Sequence, residues 1–119
     1  MAKLFIHCTH GEDDPERATL PFIVANVAAS ADQSTIVFLT VEGVRLATKG
    51  YADRIRKEGF PALSEVMRSF VQNGGQIWAC GTCTKPRGIT EADLIPGARI
   101  VTAANAVEQL VSGAASMDF

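Results

Sequence analysis

No apolar run in this chain approaches the roughly 20 residues that a membrane-spanning helix needs, so no membrane partner is expected. Basic clusters are missing as well. Lysine and arginine number 11 against 13 aspartates and glutamates, for a net charge of −2. Nucleic-acid affinity rests on clustered cations meeting phosphates, so nucleic acid is not an expected partner either. The opening Met1-Ala2-Lys3-Leu4 lacks the design of a secretory signal, which makes the cytoplasm the expected location. Cysteine is scarce, with three residues. In a reducing compartment three thiols do not read as a structural disulfide framework. Repeats, linkers and low-complexity segments are absent, and 119 residues fit one domain spanning 1–119. What the chain does have is apolar content, 47%, enough for a compact core.

Strand and helix patterns alternate along the chain. Lys3 to Cys8 is short and apolar enough to be a buried parallel strand. A polar turn, Thr9 to Asp13, leads to Asp14-Pro15-Glu16, which combines an N-cap acceptor, proline at the first helical position and an early acid. The helix that follows carries Phe22, Ile23, Val27 and Ala28 as its apolar stripe, and Pro21 should kink it. Thr35 to Thr40 is a second strand, rich in β-branched and aromatic residues. Val44 to Lys49 reads as a short helical piece and Tyr51 to Gly59 as loop. After Pro61 the series Leu63, Val66, Met67, Phe70, Val71 fits an amphipathic helix, with Gly74 as its left-handed cap.

Gln76 to Cys80 is the third strand. Gly88 to Ile95 reads as a brief helix, Arg99 to Thr102 as a fourth strand, and Asn105 to Ser112 as a last helix with Val107, Leu110 and Val111 inward. The tail Ser116 to Phe119 is a candidate edge strand. Such alternation predicts an α/β three-layer sandwich, a mainly parallel sheet of four to five strands with helices on both faces.

The stretch that invites chemistry is Cys80-Gly81-Thr82-Cys83-Thr84-Lys85-Pro86-Arg87-Gly88. It follows the third strand, and in open α/β sheets ligands gather beyond the carboxyl ends of the strands. A thiol reacts as thiolate, which nearby cations and inward-pointing amides favour. Lys85 and Arg87 supply charge. Pro86 belongs in the first turn of a helix that follows it, which leaves the amides of Gly81 to Thr84 without helical partners and able to line an anion nest.

Three chemistries fit: a persulfide on Cys80, a dithiol–disulfide cycle with Cys83, or metal ligation. The last needs a second ligand pair, with Cys8 and His10 as the candidates if the first strand neighbours the third in a flavodoxin-like order. Close histidines such as His7 and His10 more often cap or pack, and no metal is assigned. The Cys-x-x-Cys spacing matches thioredoxin, but thioredoxin's pair follows an early strand and opens a long helix.

Over nearly its whole length the chain resembles the DsrE/DsrF/TusD sulfur-relay family. The resemblance rests on the order and spacing of Asp14-Pro15-Glu16-Arg17-Ala18-Thr19, Val37-Phe38-Leu39-Thr40-Val41-Glu42-Gly43-Val44, Gly74-Gly75-Gln76-Ile77-Trp78-Ala79-Cys80, Arg87-Gly88-Ile89 and Gly97-Ala98-Arg99-Ile100-Val101. In that family a cysteine closing the corresponding strand, eight residues before the glycine of an Arg-Gly pair, accepts sulfur as a persulfide. Cys80 and Gly88 hold those positions here.

The resemblance implies a Rossmann-like sandwich assembling as trimers or hexamers. It implies a sulfur carrier or sulfurtransferase-like role between donor and acceptor proteins, with no cofactor. Cys80 and Cys83 would be the reacting thiols, with Gly81, Thr82, Thr84, Lys85 and Arg87 around the bound sulfur and His10 and Cys8 as neighbours. Cys83 departs from the single-cysteine members and keeps a thiol–disulfide protein open as a second reading. A non-catalytic oligomeric subunit with packing cysteines is a third.

Overall fold

The computed structural model describes residues 3–119. Strands β1 (Lys3–Cys8), β2 (Ser34–Leu39), β3 (Gln76–Cys80), β4 (Ala98–Val101) and β5 (Ala115–Asp118) form one sheet in the order β4-β3-β2-β1-β5. Every neighbouring pair is parallel. Helices α1 (Pro15–Ser30) and α2 (Leu63–Gln72) cover one face, and α4 (Ala103–Val111) crosses the other on its way to β5. The α/β sandwich expected from the alternation is therefore present. Its strand order is not flavodoxin-like: β2 lies between β1 and β3, and the other neighbour of β1 is β5.

The residue alternation of the strands divides the core in two. Ile6, Cys8, Val37, Leu39, Ile77 and Ala79 meet α1 and α2, where the Phe22 and Phe70 rings lie edge to face with centroids 6.0 Å apart. Phe5, Ile36, Phe38, Trp78, Cys80 and Val101 point the other way, toward Ala106 of α4. Arg99 lies over the Trp78 ring at 5.0 Å, so its cation screens the outer side of this aromatic layer.

Helix α1 starts as its caps dictate: the Asp14 side chain accepts the Arg17 N–H, and Pro15 fills the first turn. Pro21 sits inside the helix and cannot bond the Arg17 carbonyl. The Cys8 thiol takes up that role, its sulfur 3.8 Å from the Arg17 oxygen and 3.5 Å from the His10 oxygen. Gly74, at φ 92°, closes α2 as expected.

Two apolar stripes face differently from the sequence reading. Val27 is exposed, and the buried line of α1 is Ala18, Phe22, Ala25 and Ala29. In α4 only Ala106 is buried, while Val107, Leu110 and Val111 are 56%, 44% and 77% exposed. The small side of α4, at Ala106, lies on the aromatic layer, which leaves the branched side outward. Val41–Ala47 and Glu91–Asp93 are 3-10 turns, and the stretch read as loop contains another at Ala52–Arg54 beside the buried Tyr51.

Candidate thiol site at the carboxyl rim of the sheet

Strand β3 ends at Cys80, which caps a four-residue helix, α3 (Gly81–Thr84), that continues as a 3-10 turn over Lys85–Arg87. Gly81 to Thr84, expected to precede any helix, form the first turn of one. Their amides lack helical acceptors for that reason, since the first four N–H groups of a helix have none. Pro86 sits in the opening of the 3-10 turn. Gly81 packs tightly: a Cβ there would lie 3.2 Å from the Val101 carbonyl oxygen.

All three cysteines are free thiols. Cys80 is 7% exposed, at the edge of the aromatic layer. Cys83 is half-buried, and its sulfur accepts the Val41 N–H at 3.2 Å. Val41 has φ 54°, a left-handed conformation that a β-branched residue rarely adopts. Backbone strain of this kind persists only where surrounding contacts enforce it. Here the enforcing contacts surround Cys83.

Arg87 and Glu42 supply those contacts. The Arg87 Nε donates to Glu42 Oε1 at 2.9 Å, and its terminal nitrogen donates to the Cys83 carbonyl at 3.1 Å. Arg45 Nε meets the second Glu42 oxygen at 2.9 Å. The Arg87 hydrogen bond, with help from Arg45, holds the Glu42 carboxyl below its ordinary value. Arg87 thus clamps the Val41–Glu42 backbone against α3, and its charge is shared with Glu42. Lys85 and Thr82 are exposed. Thr84 is buried, with its hydroxyl donating back to the Gly81 carbonyl.

Cys8 and His10 lie elsewhere. Cys8 is fully buried on the sheet face opposite Cys80, where burial pushes its thiol up to about 12. His10 pairs with Asp13, Nδ1 to Oδ2 at 2.8 Å, and this hydrogen bond holds the Asp13 carboxyl low. Two strand spacings separate β1 from β3, about 10 Å. Among the described residues no three His, Cys, Asp or Glu side chains gather as a metal-ligand set.

At the rim, His7 has partners that the sequence does not signal. His7 Nε2 lies 2.7 Å from Thr40 Oγ1, and its Nδ1 lies 3.5 Å from Asp118 Oδ1. The signal for Thr40 was its place at the end of β2; nothing local in the sequence pointed to Asp118, which reaches His7 only because β5 pairs with β1. A cavity of about 410 Å³ opens between Leu46, Thr48 and α2, with Met67, Val71 and Ile95 in its wall. No residue of the cysteine turn lines it, so the thiols occupy a rim and not that pocket.

Comparisons with known proteins agree with this architecture. An uncharacterized protein of Methanocaldococcus jannaschii, MJ0760, is 35% identical over 101 residues, covering 85% of this chain and 37% of that protein. The uncharacterized MK0008 of Methanopyrus kandleri is 31% identical over 87 residues, covering 73% of this chain and 69% of that one. The chain thus spans little more than a third of the length of the first relative. Among solved structures, the Escherichia coli ychN protein superposes with a TM-score of 0.84 at 21% identity. MTH1491 of Methanobacterium thermoautotrophicum, a protein of unknown function, superposes with 0.77 at 20% identity. Both superpositions cover 100% of each chain, and at these identities they speak for the fold. The DsrE/DsrF-like family matches residues 2–119, and the chain belongs to that family.

Proposed function

We propose that this protein carries sulfane sulfur as a persulfide on Cys80 and exchanges it with partner proteins. The observation that carries the reading is a free thiol pair at the carboxyl end of β3, in a chain of the DsrE/DsrF-like family. The Cys80 thiolate attacks the outer sulfur of a donor persulfide, forming Cys80–S–SH and releasing the donor thiolate. An acceptor thiolate then attacks the outer sulfur and regenerates Cys80. The first-turn amides of α3, free of helical acceptors, are available to the charge that builds on sulfur. Cys83 serves as the resolving thiol: its thiolate attacks the inner sulfur, giving a Cys80–Cys83 disulfide and hydrosulfide. Lys85, exposed beside the turn, favours approach of an anionic donor. The reading places the protein in the cytoplasm, where such thiols stay reduced; none of the described helices is long and apolar enough to cross a membrane.

A homo-oligomer, a trimer or hexamer, belongs to this reading. Its support is the outward stripe Val107, Leu110 and Val111 on α4, which a second copy would cover.

Incubation with a polysulfide donor followed by intact-mass measurement tests the reading. Cys83→Ser should gain one sulfur and Cys80→Ser none, while the parent releases hydrosulfide as its Cys80–Cys83 disulfide forms. A gain unchanged in Cys80→Ser would sink it. The half-buried, i,i+3 placement of Cys83 beside Cys80 also favours a thiol–disulfide protein, as the second reading. Disulfide exchange that needs both cysteines, with no sulfur loading, would establish that one.

A further inference from the structure

We propose that His7 handles the proton of the Cys80 thiol, acting through the Thr40 hydroxyl and steadied by Asp118. The inference deepens the thiol-site reading and rests on it. Thr40 lies between the two groups. Its Oγ1 lies 2.7 Å from His7 Nε2. On the other side, Phe38 pairs with Trp78 and Leu39 with Ala79. One step further along these parallel strands brings Thr40 level with Cys80. Thr40 follows the alternation of Ile36 and Phe38, so it shares the sheet face of Cys80. Neighbouring strands lie about 4.8 Å apart, which sets the two side chains next to each other on that face. The second thiol is adjacent too, because the amide that follows Thr40, that of Val41, is the one bonded to the Cys83 sulfur.

Asp118 gives the arrangement its direction. Its carboxylate faces His7 Nδ1 at 3.5 Å, which favours a proton on Nδ1 and a lone pair on Nε2 for the Thr40 hydroxyl. The Phe38 ring, centroid 5.7 Å away, fixes the plane of the imidazole. Asp118 is the charged side chain that reaches His7 within 4 Å among the described residues. Glu42 is engaged with Arg45 and Arg87 beyond Cys83.

The step balances without any change of oxidation state. Cys80 S–H passes its proton to Thr40 Oγ1 while Thr40 O–H passes its own to His7 Nε2. A thiolate remains on one side and an imidazolium, next to the Asp118 carboxylate, on the other. His7 and Asp118 are positioning residues here, since they act on sulfur through Thr40.

The test is the rate at which iodoacetamide alkylates Cys80 near neutral pH, read by peptide mass in a Cys83→Ser background. It needs no sulfur donor. His7→Gly and Thr40→Val should each slow labelling about tenfold, a modest loss for a positioned proton acceptor. Thr40→Ser should keep the starting rate, and added imidazole should restore His7→Gly, because the His7 site is 30% exposed and open to it. Equal rates across these proteins, including no labelling in any, overturn the proposal. So does slowing that neither serine nor imidazole reverses, which would mark a purely structural role. If His7→Gly does not fold, the Thr40→Val and Thr40→Ser pair carries the test alone. The expected pattern without persulfide loading would refute the sulfur-carrier reading and leave the relay standing.

Discussion

Glu42→Gln removes the charge that ties the Val41 turn to α3. In the parent, Glu42 accepts from Arg45 and Arg87 at 2.9 Å each, with side chains 35%, 39% and 23% exposed. Exposed ion pairs contribute about 0.2–1 kcal/mol, and sheltered charge-assisted bonds about 1.5–3 kcal/mol. This network sits between the two limits. The glutamine amide still accepts one bond, so the expected loss is about 1 kcal/mol, or roughly 4 °C in Tm for a chain of this size. The loss depends on pH. The Glu42 carboxyl ionises lower in the folded chain than the ordinary 4.5, so its contribution is complete above that value. It disappears as pH falls through the lowered folded-state value, and parent and variant converge in acid. Thermal melts at neutral and acid pH measure this, and alkylation of Cys83 at neutral pH measures the turn itself. Cys83 should label faster in the variant, because the Val41 N–H loosens from its sulfur. Identical melts at neutral pH, or a stability gap that widens in acid, would show that Glu42 does not hold this turn.

Two further perturbations test the fold around the site. Cys8→Ala removes a buried sulfur and the donor to the Arg17 carbonyl that Pro21 leaves open, and should cost about 1–2 kcal/mol in urea denaturation. In the folded parent Cys8 itself should resist alkylation, since its thiol is pushed up to about 12. Replacing both Val107 and Leu110 with Asp should convert an oligomer to a monomer by light scattering while leaving the circular dichroism spectrum intact; an unchanged mass would remove α4 from the interface.

Much of the fold was legible because local signals agreed with it. Asp14-Pro15 marked a helix start, Gly74 a helix end, and β-branched runs the inner strands. Helix orientation was less legible. An apolar stripe in sequence shows that a helix has a greasy side, and on α4 that side faces away from the sheet, because the small Ala106 side joins the aromatic layer. Strand order depends on which sheet edge each crossover takes, so β2 came between β1 and β3 without any local sign. That order separates Cys8 from Cys80 and brings Asp118 to His7. The cysteine turn could be read from its own residues. Its support from Glu42, Thr40 and His7 is long-range and appears only once β1, β2 and β3 are side by side.

Whether Cys80 carries sulfur is decided by locating the added atom. After loading Cys83→Ser, which cannot resolve a persulfide, with a sulfane-sulfur donor and trapping with an alkylating reagent, fragment-ion spectra of the cysteine peptides locate the added atom. One extra sulfur is expected on Cys80 and none on Cys8. Added sulfur on Cys8 alone, or peptides of unchanged mass, would contradict this.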